Sequence, residues 1–167
     1  MFVVWMVGRI ESKETQAKLN TSKYLLLYFS YVLLFVPPLF NWRLVSNDRF
    51  FGLFGDAICL LAAGLAIWAR IVLGKTWSAG ASQKIEHDLI QTGPYSLVRH
   101  PIYLGLVLAM FGFSLTIRTP LSYSAVLVGL ISILLRIPIE EKLMGEIFTT
   151  SHKEYSRKIK KLIPFVW

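Results

Sequence analysis

The chain has 167 residues, of which 54% are hydrophobic and only 17% charged, with a formal net charge of +8. A soluble domain carries about 25% charged residues; here the charges cluster between long apolar runs, which excludes an ordinary water-soluble globule and fits surroundings that alternate between lipid and water. The basic residues line no single amphipathic face but sit beside apolar segments, where anionic lipid headgroups attract them, so membrane lipids and not nucleic acid are the expected partner.

Taken in order, Met1–Val7 is apolar, too short to span, and followed at once by Arg9. It reads as an interfacial anchor or as the end of a further helix, and both stay open. The first predicted span runs from Tyr24 to Phe40, with Pro37-Pro38 closing or kinking it and Trp42-Arg43 anchoring it at the interface. The polar turn Ser46-Asn47-Asp48-Arg49 leads into a second span, Phe50 to Leu73. Asp56, near its start, is expected to reach water, because an acid at mid-bilayer costs several kcal/mol. Cys59 lies in the same span; one cysteine builds no disulfide or thiolate metal cluster within a chain, and it reads as a small buried hydrophobe.

From Gly74 to Pro101 the chain is too polar to span, carrying Lys75, Lys84, Glu86, His87, Asp88, Arg99 and His100 with the turn formers Gly80 and Gly93-Pro94. A third apolar segment, Ile102 to Ile117, and a fourth, Leu121 to Ile139, are joined by a connection so short that they must form an antiparallel helical hairpin. Pro138 is expected to loosen the fourth helix where it meets water. Beyond Glu140 the tail is charged and helix-compatible, ending in Pro164-Phe165-Val166-Trp167.

The predicted fold class is therefore an all-α integral membrane protein with about four transmembrane helices: residues 1–73 give an N-terminal region with two spans, and residues 74–167 a polar loop, a hairpin and a tail. Four crossings put the N-terminal stretch, the loop and the tail on one side, with most of the lysines and arginines. The opposite turns hold only Arg43, Arg49 and Arg118. The positive-inside rule then makes the loop and tail cytoplasmic.

Two polar elements carry more than an anchor requires. The loop reads His87-Asp88-Leu89-Ile90-Gln91-Thr92-Gly93-Pro94-Tyr95-Ser96-Leu97-Val98-Arg99-His100-Pro101-Ile102-Tyr103-Leu104-Gly105, and the end of the fourth span reads Arg136-Ile137-Pro138-Ile139-Glu140-Glu141-Lys142-Leu143. In Gly-Pro-Tyr, Arg-His-Pro-x-Tyr-x-Gly and Glu-Glu, with Tyr155 and Leu162-Ile163-Pro164-Phe165 after them, the sequence resembles the isoprenylcysteine carboxyl methyltransferase family and its relatives among small phospholipid methyltransferases. The resemblance covers Gly74 to Trp167. It implies S-adenosyl-L-methionine as cofactor, with contacts at His87, Asp88, Leu89, Ile90, Tyr95, His100, Pro101, Ile102, Tyr103 and Glu140, and a substrate contact at Arg136. It also implies a lipophilic or prenylated acceptor entering from the bilayer, most simply a carboxylate. The chain departs from the family pattern in its tail, where Thr149 follows Phe148 in place of glycine and His152 replaces the first of two tyrosines.

The residue types suit such a ligand. Carboxylates accept hydrogen bonds from an ammonium or from ribose hydroxyls, tyrosine rings offer faces to a cation or a base, and Arg136 and Glu140, four apart, share a helix face. Read singly, each has a plainer role: Arg136 with Glu140 as an interfacial ion pair, Arg99 and His100 as headgroup anchors, Tyr95 and Tyr103 as aromatic belt, Glu141 as solvent-facing, His152 as a solvated tail residue. Their joint occurrence in family order favours a cofactor site. The rival functions are a phospholipid or other lipid N/O-methyltransferase, a membrane reductase using NADPH, which would carry a cysteine-containing stretch where this chain has Glu140-Glu141-Lys142-Leu143, and a non-catalytic scaffold. The sequence identifies neither the acceptor nor the oligomeric state.

Overall fold

The computed structural model describes residues 28–34, 49–74 and 89–167. Among these residues the chain is helical: α1 at 28–34, α2 over Arg49–Leu73, a 3₁₀ turn at Gly93–Ser96, α3 over Pro101–Ile117 and α4 over Pro120–Lys158. The expected first span, Tyr24–Phe40, lies largely outside the described residues; its central part, α1, is helical. Helices α2 and α4 are long and apolar enough to cross a membrane, and α3 is a shorter apolar helix.

The surface of α2 identifies its surroundings. Leu53, Leu60, Leu61 and Ile71 are each at least 70% exposed, a continuous apolar face that water would not tolerate and that lipid solvates. Its opposite face carries Gly55, Ala62 and Ala69, seven residues apart and all buried. There α2 meets α3 backbone to backbone and antiparallel: a methyl group added at Gly105 would lie 2.9 Å from the Ala62 carbonyl oxygen, and one at Gly112 would lie 2.6 Å from the Gly55 carbonyl oxygen and 2.9 Å from Cys59 Sγ. Small residues hold these helices together because nothing larger fits. The Cys59 thiol, half-buried, donates to the Ala109 carbonyl at 3.4 Å and belongs to this seam.

The α3–α4 hairpin forms as expected, and its corner has specific chemistry. Arg118 caps α3 in the left-handed conformation, φ 56°, and its amide donates to the Ser114 carbonyl. Thr119 opens α4 with a reciprocal capping box to Ser122, followed by Pro120 at the first helical position. Exposed Asp56 accepts from Thr116 Oγ1 at 3.3 Å near this corner, in keeping with the expected polar end. Two apolar clusters fill the bundle: Leu34, Met110, Ile117 and Ala125 toward this end, and Tyr103, Ile133, Ile137 and Leu162 toward the other.

Pro138 does not loosen α4. The helix runs through it, and its internal break falls at Thr149, φ 17°, ψ −82°. A proline accommodates helical φ and forfeits one backbone bond, while the wholly buried Ile133 and Ile137 pin the backbone beside it. Length then positions the chemistry. Glu140 lies twenty residues after Pro120 in α4, about 30 Å at 1.5 Å per residue, which is the thickness of a bilayer's hydrocarbon core. The second half of this 39-residue helix therefore lies beyond the apolar layer.

Replacing Gly105 by leucine should lower the thermal unfolding midpoint in detergent by the equivalent of about 1–3 kcal/mol. Gly52→Ala, with nothing within 4 Å of the added methyl, should hold the midpoint or raise it.

Candidate active site

The polar loop is built on a turn. Gly93 takes φ +61°, a conformation that side chains disfavour, and a methyl there would also lie 3.1 Å from Val72 on α2. Pro94 is the second residue of the 3₁₀ turn, closed by Tyr95 N to Thr92 O and Leu97 N to Pro94 O, each 3.2 Å. The tail then clamps the loop from the other side. Val98 and Lys160 form a parallel bridge, the Arg99 amide donates to Lys160 O at 2.8 Å and the His100 amide to Lys161 O at 2.9 Å. The buried Tyr155 hydroxyl donates to the Tyr95 carbonyl at 2.5 Å. Burial pushes the Tyr155 phenol up despite the opposing charge of Arg99. Burial likewise pushes Tyr95 up to about 12, with Arg70 lowering it and Glu140 adding to the rise.

His100 is the residue before α3, and Pro101 is its first helical position. This places Tyr103 on the first turn, its ring stacked on His100 at 5.7 Å and 20°. The Tyr103 hydroxyl donates to Glu140 Oε1. Arg136 Nε donates to the same oxygen at 3.0 Å, and the Arg136 guanidinium lies over the Tyr103 ring at 5.4 Å. His100 Nδ1 is 3.8 Å from Glu140 Oε2. Four of the predicted site residues, from two helices and the loop, thus converge at the level where α4 leaves the apolar layer.

The other predicted positions fall variously. His87 and Asp88 lie outside the described residues. Leu89 and Ile90 are half-buried, non-helical residues leading into the turn, and Ile102 is half-buried in the first turn of α3. Pro101 and Tyr95 are buried.

Three residues play larger parts than their plain readings allowed. Glu141 is not solvent-facing; its side chain is 15% exposed against 28% for Glu140. It accepts from Arg99 Nη2 at 2.7 Å and pairs with His100 Nε2 at 2.8 Å, while His152 Nε2 stands 3.7 Å from its second oxygen. Burial opposes its charge, but the His100 hydrogen bond and the nearby Arg99, His100 and His152 outweigh it and hold the carboxyl below its usual range. Arg99 is not a headgroup anchor, and His152 is no solvated tail residue: their side chains are 7% and 12% exposed. Arg99 stands beside His100 and Glu141 beside Glu140, so each neighbours a predicted site residue, which was the hint the sequence offered. His152 offered none, because residues eleven apart on a straight helix are about 16 Å apart along its axis. The break at Thr149 brings it back.

Against this geometry, a family model described as phospholipid methyltransferase matches residues 50–151, more than half of the chain. The chain belongs to the phospholipid methyltransferase family. Among its relatives, protein-S-isoprenylcysteine O-methyltransferase of Saccharomyces cerevisiae is 40% identical over 86 residues, 48% of this chain and 34% of the relative. Protein-S-isoprenylcysteine O-methyltransferase B of Arabidopsis thaliana is 28% identical over 165 residues, 93% of this chain and 81% of the relative. The solved structure of a eukaryotic intramembrane Ras methyltransferase, an isoprenylcysteine carboxyl methyltransferase, superposes with a TM-score of 0.67 at 21% identity, covering 99% of this chain and 61% of that one. The chain thus spans about a third of the yeast relative and under two thirds of the solved chain. The resemblance read from the motifs is borne out at the level of family, and the shared fold with its lipid-facing helices makes this a membrane protein.

Two outcomes follow from the clamp and the hub. Tyr155→Phe should cost about 1 kcal/mol, read as a lower unfolding midpoint, because the buried Tyr95 carbonyl loses its donor. A carboxyl held low takes up its proton later in the native chain than in the unfolded one. The stabilisation from Glu141 is therefore complete above the unfolded-state value near 4.3 and is lost as pH falls through the depressed native one. The stability gap between wild type and Glu141→Gln should be constant near neutrality and close on acidification.

Proposed function

We propose that this protein is a membrane methyltransferase that uses S-adenosyl-L-methionine to methylate a lipophilic acceptor, most simply the carboxylate of an isoprenylcysteine-like molecule. The observation that carries the proposal is the convergence of Tyr103, Arg136, Glu140 and His100 at the boundary of the apolar layer. The names of the relatives support the reaction class and the prenylated acceptor. The positive charge of the loop and tail supports a cytoplasmic site, and residues 74–167 would carry it.

The residues fit the cofactor's chemistry. Glu140 is the acceptor for an ammonium or for ribose hydroxyls. The stacked His100 and Tyr103 rings and the Tyr95 phenol offer aromatic faces to a base or a sulfonium. Leu89, Ile90, Pro101 and Ile102 would supply main-chain groups and apolar walls, and His87 and Asp88 precede them in the loop. When bound, S-adenosyl-L-methionine supplies an electrophilic methyl group.

A carboxylate acceptor is ionised at neutral pH and needs no base. The protein's task is to orient it and to strip its water, and orientation alone supplies up to roughly 7–11 kcal/mol in ideal cases. Arg136 suits that task. Its side chain is 4% exposed, its Nε–H is engaged by Glu140, and a guanidinium grips a carboxylate through paired hydrogen bonds that an ammonium cannot reproduce. Its place at the end of the apolar run lets the tail of the acceptor lie in lipid while the reacting group meets the site. A lipid amine acceptor, favoured by the description of the family model, would need a base in addition.

Titration of the detergent-solubilised protein with S-adenosylhomocysteine should give saturable binding, and NADPH should give none. Binding of NADPH alone would overturn the assignment. Arg136→Lys should raise KM for a carboxylate acceptor about tenfold or more with a smaller change in the KM for S-adenosylmethionine. Equal loss of both would remove Arg136 from the acceptor's side of the site.

A further inference from the structure

The hub at Glu141 has no role in the proposed chemistry, yet it is more enclosed than Glu140 and touches His100 directly. It is held from two separate parts of the chain. Arg99, from the clamped loop, grips Oε2 at 2.7 Å. His152, from beyond the break at Thr149, faces the same oxygen at 3.7 Å. The remaining oxygen, Oε1, meets His100 Nε2 at 2.8 Å. Tyr155, on the same returned segment, is a further ionisable group within electrostatic reach, and its hydroxyl is committed to the Tyr95 carbonyl.

An imidazole flanked in this way has its orientation and tautomer set by the outer partner. A carboxylate only accepts, so Glu141 fixes the Nε2 proton on its own side and turns Nδ1 toward Glu140, 3.8 Å away. Nδ1 is then the ring atom presented to the site. The orientation of Glu141 depends in turn on both its oxygens being engaged. His152 shares Oε2 with Arg99, and it packs over Gly145, where an added methyl would lie 3.7 Å from its Nδ1. His152 stands where the family resemblance expects tyrosine, so this hold on the hub is a property of this chain.

We propose that Glu141 is the positioning residue for His100, and that His152, carried back by the helix break at Thr149, is the residue through which this chain sets the hold on Glu141. This extends the proposed function and rests on it for the claim that His100 contacts the cofactor. Neither Glu141 nor His152 need touch cofactor or acceptor; each acts through His100.

The test uses the full chain in detergent micelles, with two readouts. The chain has three histidines, so the imidazole ¹⁵N spectrum can be assigned with one variant per ring and reports the His100 tautomer directly. Calorimetric titration with S-adenosylhomocysteine reports the site. Glu141→Gln should weaken binding roughly tenfold or more, the effect of losing a charged hydrogen-bond partner, and should move the His100 nitrogens toward the averaged pattern of mixed tautomers. His152→Leu should give a smaller shift of the same kind with a several-fold loss of affinity. His152→Gln keeps an N–H donor toward Glu141 and should recover most of both. Turnover should report the same order in the KM for S-adenosylmethionine, with kcat changed less.

Loss of thermal stability in both His152 variants, with unmoved His100 nitrogens and unmoved affinity, would reduce His152 to a packing residue and overturn the inference. Unmoved nitrogens in Glu141→Gln would overturn it at its root. Should the wild-type protein bind no S-adenosylhomocysteine, the proposed function fails instead, while the nitrogen spectra still decide whether Glu141 sets the His100 ring.

Discussion

The site depends on burying cations at the edge of a medium that tolerates none unpaired. The Arg99 and Arg136 side chains are 7% and 4% exposed, and a guanidinium cannot shed its charge. Each must therefore find a carboxylate, and Glu140 and Glu141, adjacent on α4, are the carboxylates at that level. Two neighbouring acids on a helix point in different directions, so one carboxylate faces Tyr103 and Arg136 while the other faces Arg99 and His152. His100 lies between the two and joins them. The pairing does not maximise stability; buried ion pairs seldom outperform apolar packing. Its effect is to leave one workable register of loop, helices and tail.

That register explains the seam between α2 and α3. A loop gripped at both ends transmits errors, and the close approach at Gly55, Ala62, Gly105 and Gly112 fixes the height of α3 relative to α2. The same approach sets where Gly93, seated on Val72, delivers Tyr95. Lipid supplies no hydrophobic force between apolar helices. Alignment comes from shape, and small residues provide it.

Much of this was legible in the sequence because it followed from local rules. The apolar lengths gave α2, α3 and α4 to within a residue or two at most ends, Arg118-Thr119-Pro120 gave the hairpin corner, and the i, i+4 spacing of Arg136 and Glu140 gave their contact. What escaped was non-local. The Tyr155–Tyr95 bond and the pairing of Arg99 and His100 with residues 160 and 161 join segments about sixty residues apart, and no periodicity announces them. Pro138 misled because proline's rule concerns one hydrogen bond, whereas the buried Ile133 and Ile137 in the turn before it decided the outcome. Threonine itself does not mark a helix break at position 149, where the family pattern has glycine, and so His152 looked idle.

The clamp has a temporal consequence. The strands of main chain that hold Arg99 and His100 in place come from Lys160 and Lys161, and Leu162 seals the cluster beneath Tyr103. A ribosome emits these residues only after every described helix has been made. During synthesis the hairpin can insert and the helices can pair, but the acidic pair and its cations must wait in the aqueous boundary, half assembled. The nascent protein is therefore membrane-inserted before its site is assembled, and the segment that follows α4 acts as the latch.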